Sequence, residues 1–256
     1  MEDWSPPYPA EVATVYHDTS YGRMCSRVVG QPQPGVPEVA LVQGLGVADY
    51  LLPGLGALGE WTRAHLIELP GFAGSGDPPH ELSVPEFAAA VGEWLTAQRF
   101  AEVVLAGHSS GTQVAAQAAV GRTDIAGVVL ASPTIDPVAR GPLRLLVRWR
   151  IDGRREPPGL TRSHRPEWKR AGLRRMLRLV TAHLRHQIEE PVAQLTVPLL
   201  VLRGSRDALS TRRWGQRLAA LAPDGEYLEL PGAHTFPWRD PYAWSEPMRR
   251  FALRVS

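Results

Sequence analysis

Cysteine occurs once in the 256 residues, at Cys25, so no disulfide can close within the chain. A lone thiol suits a reducing compartment, and a cytoplasmic location is expected. Cys25 lies far from any motif and reads as a small packing residue. Lysine is equally scarce: Lys169 stands against 27 arginines. With 24 prolines this looks like a high-GC coding sequence, which weakens arguments from arginine identity but not from arginine placement. No apolar run approaches the roughly 18 to 20 residues that span a bilayer. The opening Met1-Glu2-Asp3-Trp4-Ser5-Pro6-Pro7 has neither the basic nor the apolar region of a secretory signal. No membrane partner is therefore expected. Net charge is small, +2, and no nucleic-acid motif is present, so that partner is set aside too. Internal repeats and low-complexity tracts are absent.

What is present describes an ordinary globular chain, 44% hydrophobic and 21% charged, long enough for one sizeable core. Val103, Val104, Leu105 and Ala106 form a short apolar run that reads as a buried parallel strand. Gly107-His108-Ser109-Ser110-Gly111 fits G-x-S-x-G, and an alanine-rich helical segment follows up to Gly121. Strand, sharp turn and helix are the setting in which this motif carries chemistry: the serine is pushed into a strained backbone conformation, and glycines leave room around it. Residues 11–18 and 23–30 read as an antiparallel hairpin. Further strands are expected at 39–42, 64–69, 125–131, 198–203 and 227–230, and helices at 48–58, from Ser83 onward, and at 212–221 and 242–253. The 48–58 helix carries Pro53, Gly54 and Gly56, which are expected to break it up. Such alternation implies an α/β fold with a mostly parallel sheet of about eight strands, covered on both faces.

The alternation lapses once, over residues 136–191. Trp168, Leu173, Met176, Leu177, Val180, Leu184 and Ile188 recur there at helical spacing until Pro191, which reads as the end of the run. These positions are expected to form the inward stripe.

The motif at Ser109, its strand and its helix resemble the α/β-hydrolase superfamily, and the resemblance recurs along nearly the whole chain. It implies that residues 1–135 and 192–256 form the core domain, with 136–191 a helical cap inserted after the sixth strand. It also implies the chain order serine, acid, histidine. His234, in Leu230-Pro231-Gly232-Ala233-His234-Thr235, matches the catalytic-histidine loop, and Asp207, four residues past a late strand, matches the acid. Asp136 is the competing acid, because some relatives carry it after the preceding strand; it also suits the cap of the first helix of the insert. The two oxyanion donors are expected to be the backbone N–H groups of Ser110 and of Leu45. Leu45 lies in Gln43-Gly44-Leu45-Gly46, where relatives often carry H-G-x-G, so glutamine replaces histidine. Residues 69–76 resemble a structural loop of the family near its pocket; no Gly-Lys-Ser/Thr follows to make it a phosphate loop.

A serine hydroxyl needs a base to become a nucleophile, and the base needs a carboxylate to orient it. The expected activity is hydrolysis of an ester, lactone or thioester of a small organic acid through an acyl-enzyme on Ser109. Ser109 speaks against relatives such as haloalkane dehalogenases and epoxide hydrolases, which use aspartate there. The alternative is a non-hydrolytic cyclase or lyase, or a ligand-binding module, on the same fold. His234 must be neutral to accept the proton, so activity is expected to rise with pH through roughly 6 to 7. No cofactor motif is found. His183, His186 and Glu189 are poorly spaced for metal and read as exposed residues of the insert. That insert carries 14 basic against 6 acidic residues, +8, over a body of −6. Its arginines are either a solvated face or a lure for an anionic small-molecule substrate, or for an acyl group on an acidic acyl-carrier protein.

Overall fold

The structure, a computed structural model, describes residues 8–157 and 159–256. The sequence-predicted hairpin forms first: β1 (Ala13–Thr19) pairs antiparallel with β2 (Gly22–Val29). Six strands follow: β3 (Glu38–Val42), β4 (Ala64–Glu68), β5 (Val103–His108), β6 (Ile125–Ala131), β7 (Leu199–Gly204) and β8 (Gly225–Leu230). They build one sheet in the order β1-β2-β4-β3-β5-β6-β7-β8, parallel from β4 to β8. Strands β4, β5 and β7 are buried along their whole length. Their burial, which takes in His65, Glu68, His108 and Arg203 as well as the apolar residues, follows from cover on both faces.

Ten α-helices lie among the described residues: α1 (Leu52–Gly59), α2 (Val84–Gln98), α3 (Gly111–Ala119), α4 (Pro142–Gly153), α5 (Leu160–Ala171), α6 (Leu173–Arg185), α7 (Glu189–Ala193), α8 (Arg212–Leu221), α9 (Phe236–Arg239) and α10 (Pro241–Val255). One apolar cluster joins the sheet to α2, α3 and α8 through Trp94, Val114 and Trp214. A second joins it to α1 and α10 through Leu55, Trp244 and Phe251. Helix α2 begins where its sequence signals: the Glu86 carboxylate accepts the Ser83 N–H at 2.8 Å and the Ser83 hydroxyl at 2.6 Å. Helix α1 is not broken up. A single 3₁₀ turn, Asp49–Leu51, leads into it, and Pro53 sits in its first turn, where no intrahelical N–H is required.

Cys25 is buried on β2. Burial, reinforced by the Glu68 carboxylate, pushes its thiol up to about 11.

Between β6 and β7 the chain departs from expectation in detail. The apolar run is two helices, divided at Gly172, whose φ of +78° suits glycine. Pro191 does not end a helix but lies in the first turn of α7, which packs with Ile188 and Val192 against the core. On α6 the inward stripe is Met176, Leu179, Val180 and His183, while Leu173 and Leu177 are 76% and 58% exposed. Two apolar stripes lie side by side on this helix, and spacing alone does not choose between them. His183 is therefore buried, against the sequence reading.

Candidate active site

The turn between β5 and α3 holds Ser109 at a φ of +55°, a left-handed backbone that a non-glycine residue adopts at a cost. Its flanking glycines are required by crowding. A Cβ on Gly107 would lie 2.4 Å from the Gly111 carbonyl oxygen, and one on Gly111 would lie 2.3 Å from that of Gln43. The half-buried Ser109 thus sits at the end of a central strand, beside the loops that follow β3, β7 and β8.

Those loops bring three of the sequence-selected residues together. The Ser109 hydroxyl oxygen lies 2.8 Å from His234 Nε2, and His234 Nδ1 lies 3.0 Å from Asp207 Oδ2. Asp207 Oδ1 accepts the N–H groups of Leu209 and Ser210, both at 2.8 Å. Burial works against charge on Asp207, but His234 and the Ser210 N–H hold its carboxyl below the ordinary aspartate range. Burial likewise opposes charge on His234. The Asp207 carboxylate outweighs it, with help from Asp152 and Glu156, and pushes the imidazole up to about 9. That is well above the value expected from the sequence, which took no account of three carboxylates around one ring.

Asp136 is not at the histidine. Its Oδ1 accepts the Val138 N–H at 3.0 Å, capping the 3₁₀ turn Pro137–Ala139, and its Oδ2 takes the Arg148 guanidinium and the Thr211 hydroxyl. Leu45 and Ser110 do meet, with a difference: the Leu45 N–H donates to Ser110 Oγ at 2.7 Å. An oxyanion reaching Leu45 would first have to turn that hydroxyl aside. Gln43, in the place of the family's histidine, is fully buried at the end of β3.

Several residues of the site carry no signal in the sequence. His108, inside the motif, contacts the Tyr50 hydroxyl through Nδ1 at 2.6 Å and the His234 carbonyl through Nε2 at 2.9 Å. A carbonyl can only accept, so Nε2 bears the hydrogen and Nδ1 accepts from Tyr50. Burial, with the neighbouring His234, pushes His108 down to about 3 and keeps it neutral. Ser132 donates to the same His234 carbonyl at 3.0 Å.

The insert reaches in from above. Asp152 Oδ1 accepts the Ala208 N–H at 2.9 Å, and Glu156 accepts the Thr235 N–H at 2.7 Å and the Thr235 hydroxyl. Glu167 accepts the N–H groups of Ala48 and Asp49 at 3.0 and 3.2 Å, while Trp168 Nε1 donates to the Leu45 carbonyl at 3.2 Å. Burial raises both Glu156 and Glu167 to about 7. The loop at 69–76 is held the same way: Arg175 and Arg170 donate to the carbonyls of Gly71 and Ala73.

His183 Nδ1 contacts Gln113 Oε1 at 3.1 Å and His186 Nε2 contacts Gln117 Oε1 at 3.3 Å. Both tie the insert to α3, and among the described residues no group of three or more His, Cys, Asp or Glu could hold a metal ion. No helix of the described residues is long and apolar enough to cross a membrane.

A model of the alpha/beta hydrolase family matches residues 39–247. The chain belongs to this family. Among solved structures, a membrane phospholipase A described as a bacterial virulence factor is 18% identical, with a TM-score of 0.77, over 95% of this chain and 86% of that one. A thermophilic esterase from Thermogutta terrifontis is 20% identical, TM-score 0.73, over 95% and 99% of the two chains. The haloalkane dehalogenase DbeA from Bradyrhizobium elkani is 15% identical, TM-score 0.75, over 96% and 99%. At such identities the likeness speaks for the fold. No curated protein matches the chain.

Proposed function

We propose that this protein is a serine hydrolase acting on an ester, lactone or thioester of a small organic acid. The observation that carries the reading is the unbroken chain of contacts Ser109–His234–Asp207, with its serine in a left-handed turn. Ser109 attacks the acyl carbon while His234 takes its proton, and the buried Asp207 stabilises the imidazolium. The oxyanion meets the Ser110 N–H at the head of α3 and, once the Ser110 hydroxyl has rotated, the Leu45 N–H. His234 hands its proton to the leaving alcohol or thiol, then activates the water that frees the acyl group. The insert covers this site as a cap, and the enzyme works in the cytoplasm on a small-molecule substrate. A fluorophosphonate probe followed by intact mass tests the reading: one adduct, lost in Ser109→Ala, together with turnover of p-nitrophenyl esters, supports it. Absence of both leaves a ligand-binding module; an adduct without ester hydrolysis leaves a lyase or cyclase.

The pH dependence follows from His234. Its folded value is raised, so it stays protonated and inactive as a base to higher pH than a free histidine. The ascending limb of the kcat/KM profile is expected to centre near pH 9. A limb centred below 6.5 would show that Asp207, Asp152 and Glu156 do not jointly act on His234.

Salt separates the two roles of the insert's arginines. Arg155, Arg170, Arg175 and Arg178 are turned to the body, on the Arg206, Ala73 and Gly71 carbonyls and on Asp77 and Glu81. This favours anchoring over attraction of an anionic substrate or an acidic acyl-carrier protein. Neutral and anionic esters are therefore expected to lose kcat/KM alike as salt rises from 0.1 to 1 M, where the Debye length falls from about 10 to about 3 Å. A selective loss for the anionic ester would restore the steering role.

A further inference from the structure

Helix α4 is built the wrong way round for a helix held by apolar packing. Leu143, Leu146, Val147, Trp149 and Ile151 are all exposed, and its one buried residue is Asp152, 2% exposed. A buried carboxylate is unfavourable unless hydrogen bonds compensate it, so its partners say what α4 is for. The acceptor of Asp152 is filled by the N–H of Ala208, the residue after Asp207. One turn on, Glu156 accepts both the N–H and the hydroxyl of Thr235, the residue after His234. Between them Arg155 donates to the carbonyl of Arg206, the residue before Asp207, at 2.8 Å. Five consecutive residues of the insert therefore grip the acid loop on both sides of Asp207 and the histidine loop beside His234.

We propose that Asp152 and Glu156 are positioning residues, which fix the separation and relative orientation of Asp207 and His234 and couple them to the seating of α4. The inference rests on the serine-hydrolase reading. The two loops come from different strands, β7 and β8, and meet at a 3.0 Å contact that must be kept through each turnover. Holding both from one short segment is what keeps that distance. A charge effect accompanies the mechanical one. The groups that act on Glu156 or feel its charge are Asp152, the Thr235 N–H and hydroxyl, His234 and Tyr50, and both insert carboxylates favour the charged form of His234. Removing either negative charge thus lowers the basicity of His234 without touching Ser109.

Asp152→Ala and Glu156→Ala are each expected to lower kcat by about 10- to 100-fold with KM changed less than about threefold, as loss of alignment does. Asp152→Asn and Glu156→Gln keep an acceptor for the backbone N–H groups. They should recover most of kcat, yet move the ascending limb of kcat/KM to lower pH by about one unit. A role in stability alone would change the melting temperature and leave kcat per labelled active site and the limb in place. That outcome overturns the proposal, as does an unchanged limb in both isosteric variants. If the alanine variants do not fold, the isosteric pair decides. The imidazole titration of His234 by NMR, assigned against His234→Ala, reads the same shift without any substrate. If wild-type protein neither takes the fluorophosphonate nor turns over esters, the parent reading has failed, and the NMR titration still tests the coupling.

Discussion

Ser109→Ala and His234→Ala are each expected to lower kcat by a factor on the order of 10⁴ or more, and the double variant to be little worse than either. In the proposed mechanism the two residues act as one device: a hydroxyl without its base keeps its proton, and a base without its hydroxyl has nothing to activate. What remains after either change is the contribution of the waiting N–H donors and of substrate binding, the same residue in both cases. The contact between Ser109 Oγ and His234 Nε2 is already at hydrogen-bond distance, so the loss is expected in kcat rather than KM. Steady-state kinetics on one p-nitrophenyl ester at saturating substrate measures it. Additive losses in the double variant would mean that His234 serves some step other than activation of Ser109.

Asp207→Asn is the second large effect, a fall of about 10³ to 10⁴ in kcat. Asp207 is buried, and its Oδ1 is engaged by two N–H groups, which leaves Oδ2 for the histidine. An asparagine placed to keep its oxygen on those N–H groups turns its amide nitrogen toward His234 Nδ1. That nitrogen then donates where it should accept, and the imidazole is driven into the wrong tautomer, with its hydrogen on the side of Ser109. Asp136→Asn should behave differently and keep kcat within a few-fold of wild type. Its acceptors serve Val138, Arg148 and Thr211, none of which touches the histidine. A dead Asp136→Asn beside an active Asp207→Asn would reverse the assignment of the acid.

Much of this architecture was legible because the information is local. The run at 103–106, the motif at 107–111 and the alternation of strands and helices are signals of a few residues each, and the sheet follows them strand for strand. Asp207 and His234 stand out as candidates because each lies just past a strand end, and the structure brings them to 3.0 Å. The contributions of the insert were not legible, for a physical reason. Asp152, Glu156 and Glu167 act on main-chain N–H groups, which every residue possesses, at separations of 56, 79 and 119 positions. No residue type at the other end marks the contact. The inward face of α6 is hidden from the sequence for a related reason. The inward stripe includes His183, whose burial depends on Gln113 of a distant helix, while the outward Leu173 and Leu177 are the more apolar pair. The engagement of the Leu45 N–H by Ser110 depends on a side-chain rotation that spacing does not encode.

The lone thiol has a use that chemistry confers rather than evolution. Cys25 lies on β2, between the edge strand β1 and β4, and burial beside Glu68 leaves almost none of it as thiolate at neutral pH. Native protein is therefore expected to react slowly with maleimides, and alkylation to record an opening of β2 or of the loop carrying Gly74 and Ser75, which lies against Cys25. With no second cysteine to confuse the signal, the unmodified chain carries its own clock for opening at β2 and the loop over it, read by mass at a single, predetermined atom.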